Sequence, residues 1–185
     1  MLRSRSLARI LPQASLPLCL VAVGLAGCGS SDETKTFDEQ GFGITFEYPG
    51  DLERTEDVTL SEQSGTAEDN IALAVAEQSA IFIQRYALEQ EITDANADDA
   101  RREIEAVLSR LSGESVEGER FEVGDLPAFR YELDDLATPP KGRSTIVVIL
   151  DGRNEYFLNC QSVPEGRQEL EEACEMALDT LEPTG

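Results

Sequence analysis

Histidine and tryptophan are both absent from the 185 residues of this chain. The absence of histidine removes the commonest general base and the commonest metal ligand of proteins. It also excludes Ser-His-Asp and Cys-His catalysis, because both mechanisms need an imidazole to accept the proton of the nucleophile. We therefore predict no catalytic residues of these kinds and no metal site.

Basic residues are scarce. The chain has 15 Lys and Arg residues but 37 Asp and Glu residues, which gives a net charge of −22. Arg3, Arg5 and Arg9 lie in the first 27 residues, so the chain from residue 28 has 12 basic and 37 acidic residues and a charge of −25. Nucleic-acid binding needs Lys and Arg against phosphate, so no nucleic-acid partner is expected. The acidity is typical of a solvated surface or a salt-adapted host, and a cationic partner is the more specific interpretation.

Long apolar runs are also missing. The run at residues 16–25 (LPLCLVAVGL) is too short for the ~20 apolar residues that cross a bilayer. It follows a basic stretch and leads into Leu25-Ala26-Gly27-Cys28, which is the layout of a signal peptide. The LAGC sequence resembles the bacterial lipobox.

That resemblance implies that Cys28 receives a diacylglyceryl group and that a signal peptidase cuts before it. The protein would then be held by lipid at the extracytoplasmic face of the cell membrane. The alternative is a secreted protein in which this cysteine stands by chance. We predict a signal peptide over 1–27, the lipidated cysteine with a flexible linker over 28–36, and one domain over 37–182.

Four cysteines are present, of which Cys19 lies in the removed segment and Cys28 is the predicted lipid site. Cys160 and Cys174 remain, and such a pair in an exported protein usually forms a disulfide. Two free buried thiols are the alternative. Two thiolates without histidine make an incomplete zinc site, so metal binding is the weaker interpretation.

Alternating apolar and polar residues predict a half-buried strand at 42–48 (FGITFEY). Residues 71–75 and 80–88 predict a hairpin whose second strand is central, and a further strand is predicted at 128–133. Asp151-Gly152 stands between two strand-like runs, 144–150 and 154–160, and is a strong hairpin-turn signal.

Two amphipathic helices are predicted. The first is capped by Asp94 or Asn96 and ends at Gly113, and its inner stripe is Ala100, Ile104, Val107, Leu108 and Leu111. The second covers about residues 165–181, and its inner stripe is Leu170, Ala173, Cys174, Ala177, Leu178 and Leu181. The fold class is therefore α+β, with a mainly antiparallel sheet covered by two helices.

Three features together resemble the PsbP-like α/β/α sandwich family, including actinobacterial lipoproteins of the LpqN type. They are the opening strand GFGITFEYP, the order of the elements, and the segment 124–131 (GDLPAFRY) before two hairpin strands and a terminal helix. The chain departs from the family where related proteins often carry tryptophan after Tyr-Pro, because Gly50-Asp51-Leu52 stands there. The resemblance implies accessory and protein-interaction roles, without a catalytic motif to carry over.

Acidic spacings give the remaining candidate sites. Asp94, Asn96, Asp98 and Glu105 match an EF-hand loop, but Asp99 replaces its glycine, so helix capping is the better interpretation. Asp134-Asp135 is interpreted as a solvated loop. Motifs of phosphate-binding loops, dinucleotide-binding folds and nucleophile elbows are absent, and no cofactor is predicted.

These observations favour a membrane-anchored extracytoplasmic lipoprotein that acts as a non-catalytic binding or accessory module. Its expected partner is an envelope or extracellular protein, and its oligomeric state is left open. The alternatives are a lipoprotein that binds a small ligand or calcium, and a carboxylate-based envelope hydrolase.

Overall fold

The computed structural model describes residues 33–55, 69–76, 78–134 and 142–184. The predictions for Cys19, Cys28 and Asp135 fall outside these residues. The described elements are β1 (Thr34–Asp38), β2 (Ile44–Pro49), β3 (Glu53–Thr55), β4 (Asp69–Ala76), β5 (Ser79–Ile92), α1 (Ala97–Ser112), β6 (Glu119–Val123), β7 (Leu126–Asp134), β8 (Arg143–Ser162), α2 (Arg167–Asp179) and β9 (Glu182–Pro183).

The strands form two antiparallel sheets instead of the single sheet that we expected. The large sheet has the order β3-β4-β5-β8-β7-β6, and the small sheet has the order β1-β2-β9. The small sheet and α2 pack on one face of the large sheet, which we call the α2 face. Helix α1 packs on the opposite face, the α1 face. The predicted α+β class with a mainly antiparallel sheet is confirmed.

β8 is 20 residues long, but it reverses direction in the middle. A Cβ atom on Gly142 would lie 2.7 Å from the carbonyl oxygen of Ser162, so the two ends of β8 lie side by side. The turn is at Asp151-Gly152, where Gly152 has a φ of 57°, a left-handed conformation that glycine adopts without strain. The predicted hairpin is confirmed.

The halves of β8 bind different neighbours. The first half pairs with β7 over residues 143–149, and the second pairs with β5 over residues 152–161. Because side chains alternate along a strand, Val147 and Ile149 join the core of the α2 face, whereas Ile146, Val148 and Leu150 join that of the α1 face. Both faces of β8 are therefore buried, as expected for a central strand without polar alternation.

Three short strands were not expected from the sequence. β1 pairs with β2, β9 pairs with the other edge of β2, and β3 pairs with β4. Because β1 begins at Thr34, residues 34–36 belong to the small sheet, which corrects the end of the predicted 28–36 linker. Most side chains of these strands are exposed, so backbone pairing forms them without an apolar pattern in the sequence.

The inner stripe of α1 is narrower than predicted. Leu108 is buried and Ile104 packs against the α1-face core, but Val107 is 44% exposed and Leu111 is 45% exposed. The two exposed residues are four positions apart, so they lie on one flank of the helix that faces solvent. Gly113 ends the helix with a φ of 78°, as predicted.

Asn96 occupies the N-cap position of α1, but its side chain does not cap the helix. Its Oδ1 atom accepts a hydrogen bond from the backbone N–H of Thr93 at 2.7 Å, and its Nδ2 group donates to the carbonyl of Glu91. Asp98 and Asp99 lie in the first turn, where the helix dipole favours negative charge. The position of the cap is thus confirmed, and the predicted side-chain bond is wrong.

A disulfide joins Cys160 of β8 to Cys174 of α2, with the two Cα atoms 6.1 Å apart. Both cysteines belong to the α2-face core, together with Leu170, Ala173 and Ala177 of the helix. The bond therefore holds α2 against the second half of β8, as the sequence predicts.

We expect the double variant Cys160→Ala/Cys174→Ala to lose about 3 kcal/mol of unfolding free energy, because the disulfide closes a loop of 14 residues in the unfolded chain. Urea unfolding of the purified full-length protein measures this difference. Reductant should lower the stability of the wild type by a similar amount and leave the double variant unchanged. Equal stability of the oxidised and reduced wild type would contradict the prediction.

Candidate functional site

A groove runs along the α2 face, between α2 and the uncovered parts of β7 and β8. Its volume is about 560 Å³. We call it the acidic groove, and the side chains that line it are Arg130, Glu132, Arg143, Thr145, Cys160, Ser162, Leu170, Glu171, Cys174, Glu175, Leu178 and Asp179.

The acidic groove exists because α2 covers only part of the sheet. The helix contacts β2, β5 and β8, and the disulfide holds it over the second half of β8. Along β7, Arg130 and Glu132 are exposed, whereas Tyr131 and Leu133 point into the α1-face core. The outward side chains of β7 and of the first half of β8 therefore form the floor beside the helix.

Hydrogen bonds and ion pairs order this floor. The guanidinium of Arg130 lies 2.9 Å from the carboxylate of Glu132, which also accepts a hydrogen bond from the hydroxyl of Thr145 at 2.9 Å. Arg143 donates to Asp134 at 3.0 Å and lies 3.8 Å from Glu171 on α2. Both arginines of the groove are thus engaged by neighbouring carboxylates.

The α2 wall of the groove is acidic, and Arg143 compensates only the first of its three carboxylates, that of Glu171, among the described residues. Glu171, Glu175 and Asp179 follow one another at intervals of four residues, so their carboxylates lie on one flank of the helix. Among the residues that the structure describes, Glu175 and Asp179 take part in no ion pair. The groove can therefore attract a cation along this wall.

A second polar feature, which we call the Glu155 cluster, lies on the α1 face. Glu155 is on β8 directly opposite Tyr86 of β5, and Tyr131 of β7 is close enough to be affected by its charge. The charges of Arg101 and Glu105 on α1 also act on Tyr131. The cluster therefore joins the helix to three strands of the large sheet.

Burial raises the pKa of the Glu155 carboxyl to about 7. A carboxyl of this kind is protonated in about half of the molecules at neutral pH, and it could exchange a proton there. Burial also raises the pKa of Tyr86, and the negative charge of Glu155 adds to that shift. Perturbed groups of this kind mark candidate functional sites, although buried structural groups show them as well.

Tyr131 is fully buried, and within the described part of the chain its hydroxyl has no hydrogen-bond partner. Gly118 lies against its ring, because a Cβ atom there would be 2.4 Å from the ring carbon Cε1. The N–H of Gly118 donates to Glu105 at 3.0 Å, which closes the loop after α1 over the tyrosine. Burial, followed by the charge of Glu105, raises the pKa of Tyr131.

The acids with EF-hand spacing serve as ion-pair partners. Arg120 of β6 lies 3.1 Å from Asp94 and 3.5 Å from Asp98, and Arg101 lies 3.5 Å from Glu105. Within the described ranges, no group of three or more Cys, Asp or Glu side chains is arranged to hold a metal ion. No helix in those ranges is long and apolar enough to cross a membrane.

The sequence predicts the disulfide but neither of these two sites. For the acidic groove, a signal was available in the alternation of FRYELD in β7 and in the three acids spaced by four in α2. For the Glu155 cluster, the signal was a charged residue beside the apolar run Tyr156-Phe157-Leu158 in the second half of β8. Neither pattern shows which element lies opposite, so neither alone identifies a site.

We expect Glu155→Gln to stabilise the protein at pH 8 by roughly 2 kcal/mol and to have little effect at pH 4. The folded state holds the carboxyl proton up to about pH 7, whereas the unfolded chain releases it near 4.5, so wild-type stability falls as pH rises between these values. The figure allows for the solvent that reaches part of the side chain. Urea unfolding over this pH range measures the difference.

The matched control is Glu103→Gln on the exposed face of α1. This variant removes the same charge from the surface. Subtracting the pH dependence of its unfolding free energy corrects for the titration of the many surface acids. A difference between Glu155→Gln and the wild type that does not change from pH 4 to pH 8 would contradict the prediction.

No protein-family model matches this chain, and no curated protein sequence matches it. Solved structures do resemble it. The solution structure of cyanobacterial PsbP (CyanoP) from Synechocystis superposes with a TM-score of 0.57 at 9% sequence identity, over 86% of this chain and 98% of that one. A crystal structure from Bacteroides thetaiotaomicron superposes with a TM-score of 0.51 at 14% identity, over 82% of this chain and 48% of that one. The chain thus has a PsbP-like fold.

Proposed function

We propose that this protein is a lipid-anchored extracytoplasmic lipoprotein whose PsbP-like domain binds a protein partner without catalysis. The acidic groove carries the proposal, because it is an open surface lined by charged and polar side chains at the side of a firmly held helix. The partner is a protein of the cell envelope or of the extracellular space.

Two observations support an extracytoplasmic location. The disulfide between Cys160 and Cys174 suits an oxidising compartment, where such bonds form and persist. The LAGC sequence that ends at Cys28 supports lipid attachment at that cysteine. Lipid chains on Cys28 hold the domain beside the membrane and so restrict the partners that it meets to those near the membrane surface.

The binding proposal rests on the floor of the groove as well as on its shape. The ion pair between Arg130 and Glu132 and the hydrogen bond from Thr145 hold polar groups in fixed positions before any partner arrives. Preorganised groups of this kind reduce the entropy that is lost on binding. The small-ligand, calcium-binding and hydrolase alternatives stay predictions.

We expect Cys28→Ala to abolish lipid attachment. Metabolic labelling with radioactive palmitate and detergent phase partition of the expressed protein measure this loss. Cys19→Ala is the matched control, since it removes a cysteine only nine residues away and should keep both the label and the detergent-phase partition. Labelled Cys28→Ala protein, or wild-type protein that stays in the aqueous phase, would show that the anchor is not at this cysteine.

Partner binding is tested by photo-crosslinking in intact cells. We expect a crosslinking amino acid at Glu171, on the wall of the groove, to capture a reproducible protein partner. The same amino acid at Glu103, on the exposed face of α1, should capture little of it. Capture that is absent at Glu171, or equal at both positions, would argue against a partner at the groove.

A further inference from the structure

The acidic groove contains more negative than positive charge. Its carboxylates are Glu132, Glu171, Glu175 and Asp179, and its two guanidinium groups are those of Arg130 and Arg143. The arginines are already engaged by Glu132, Asp134 and Glu171. The negative charge of Glu175 and Asp179 therefore stays available to a ligand.

These acids do not stabilise the helix that carries them. Glu171, Glu175 and Asp179 repel one another, because like charges four residues apart are neighbours on a helix. Asp179 is the last residue of α2, and the last turn contains no basic residue. The negative end of the helix dipole disfavours a carboxylate at this position. A bound cation would relieve both kinds of repulsion.

Ser162 is an independent sign of a ligand. Its side chain lines the groove although the residue is only 3% exposed. Its hydroxyl donates to no other described residue and is not among the fully enclosed unpartnered atoms of the described chain, so it opens onto the groove. A hydroxyl in a side chain that is otherwise buried normally has a hydrogen-bond partner, and at this position a ligand in the groove can provide it.

The apolar part of the lining points to the shape of the cation. Leu178 and the disulfide of Cys160 and Cys174 lie beside the carboxylates. Lysine and arginine combine an apolar stem with a cationic end, so the stem can lie on this apolar strip while the end reaches an acid. A volume of about 560 Å³ suits a few such side chains of one peptide segment.

We infer that the acidic groove binds a segment of the partner protein that is rich in lysine or arginine. The inference rests on the proposed function, and it specifies the chemistry of the partner at that same groove. The carboxylates of Glu175 and Asp179 bind its cationic ends, and the hydroxyl of Ser162 hydrogen-bonds its backbone.

The test measures the fluorescence anisotropy of a labelled peptide of alternating lysine and glycine with the purified full-length protein. The groove variant is Glu175→Gln/Asp179→Asn, and the matched control is Glu103→Gln/Glu114→Gln, which removes the same charge from the exposed surface of α1 and the loop after it. We expect binding to the groove variant to be about tenfold weaker, and binding to the control to change less than twofold. A peptide of alternating glutamate and glycine should not bind.

Equal weakening in both variants would overturn the inference, because it would show attraction to the overall charge of the protein. Unmeasurable binding to the wild type would overturn it as well. Thermal unfolding followed by circular dichroism confirms that both variants are folded. Backbone amide shifts of Thr145 and Ser162 on peptide addition would support the groove as the site, and shifts confined to α1 would contradict it.

Failure of this inference can be told from failure of the proposed function. If photo-crosslinking at Glu171 captures a partner and Glu175→Gln/Asp179→Asn leaves that capture unchanged, the module binds a protein by other chemistry. If no partner is captured at Glu171 while the lysine peptide still binds the groove, the affinity for cationic side chains holds and the proposed protein partner does not.

Discussion

β8 folds back on itself at Asp151 and Gly152, and both of its halves then lie in the middle of the large sheet. Each half provides backbone hydrogen bonds to a different neighbour, β7 on one side and β5 on the other. Each half also provides side chains to both faces of the sheet. The two cores consequently meet at this hairpin, and the positions of both helices are defined relative to it.

The disulfide adds an asymmetry to that arrangement. It holds α2 over the second half of β8, and the small sheet fills the rest of the α2 face on that side. The start of β8 and the end of β7 are less covered on that face, so their polar side chains and the acidic flank of α2 enclose an open groove. On the opposite face, α1 covers β7 and encloses Tyr131, and Glu155 is partly buried beside it. One sheet thus carries an open charged surface on one face and a covered polar cluster on the other.

The main elements could be predicted because their signals are local. Alternation indicated β2 and β7, the Asp-Gly pair indicated the reversal of β8, and helical spacing indicated α1 and α2. The errors have physical causes. Val107 and Leu111 match the apolar spacing of α1, but their side chains remain largely exposed to solvent. β1, β3 and β9 are short and mostly exposed, so backbone pairing forms them: β1 and β3 pair with the next strand in the chain, whereas β9 pairs with the distant β2.

The sequence by itself determined the class of the fold, the central hairpin, the two helices and the pairing of Cys160 with Cys174, because each depends on residues close in the chain or on simple cysteine counting. The tertiary structure alone decided that acids of α2 face the polar floor of β7 and β8, and that burial raises the pKa of Glu155 to about 7. Both depend on which elements lie opposite each other, and sequence periodicity contains no information about the opposing surface. The positions of charged residues along the chain can be read from the sequence. The electric field at a site, however, is the sum over all the groups that pack around it.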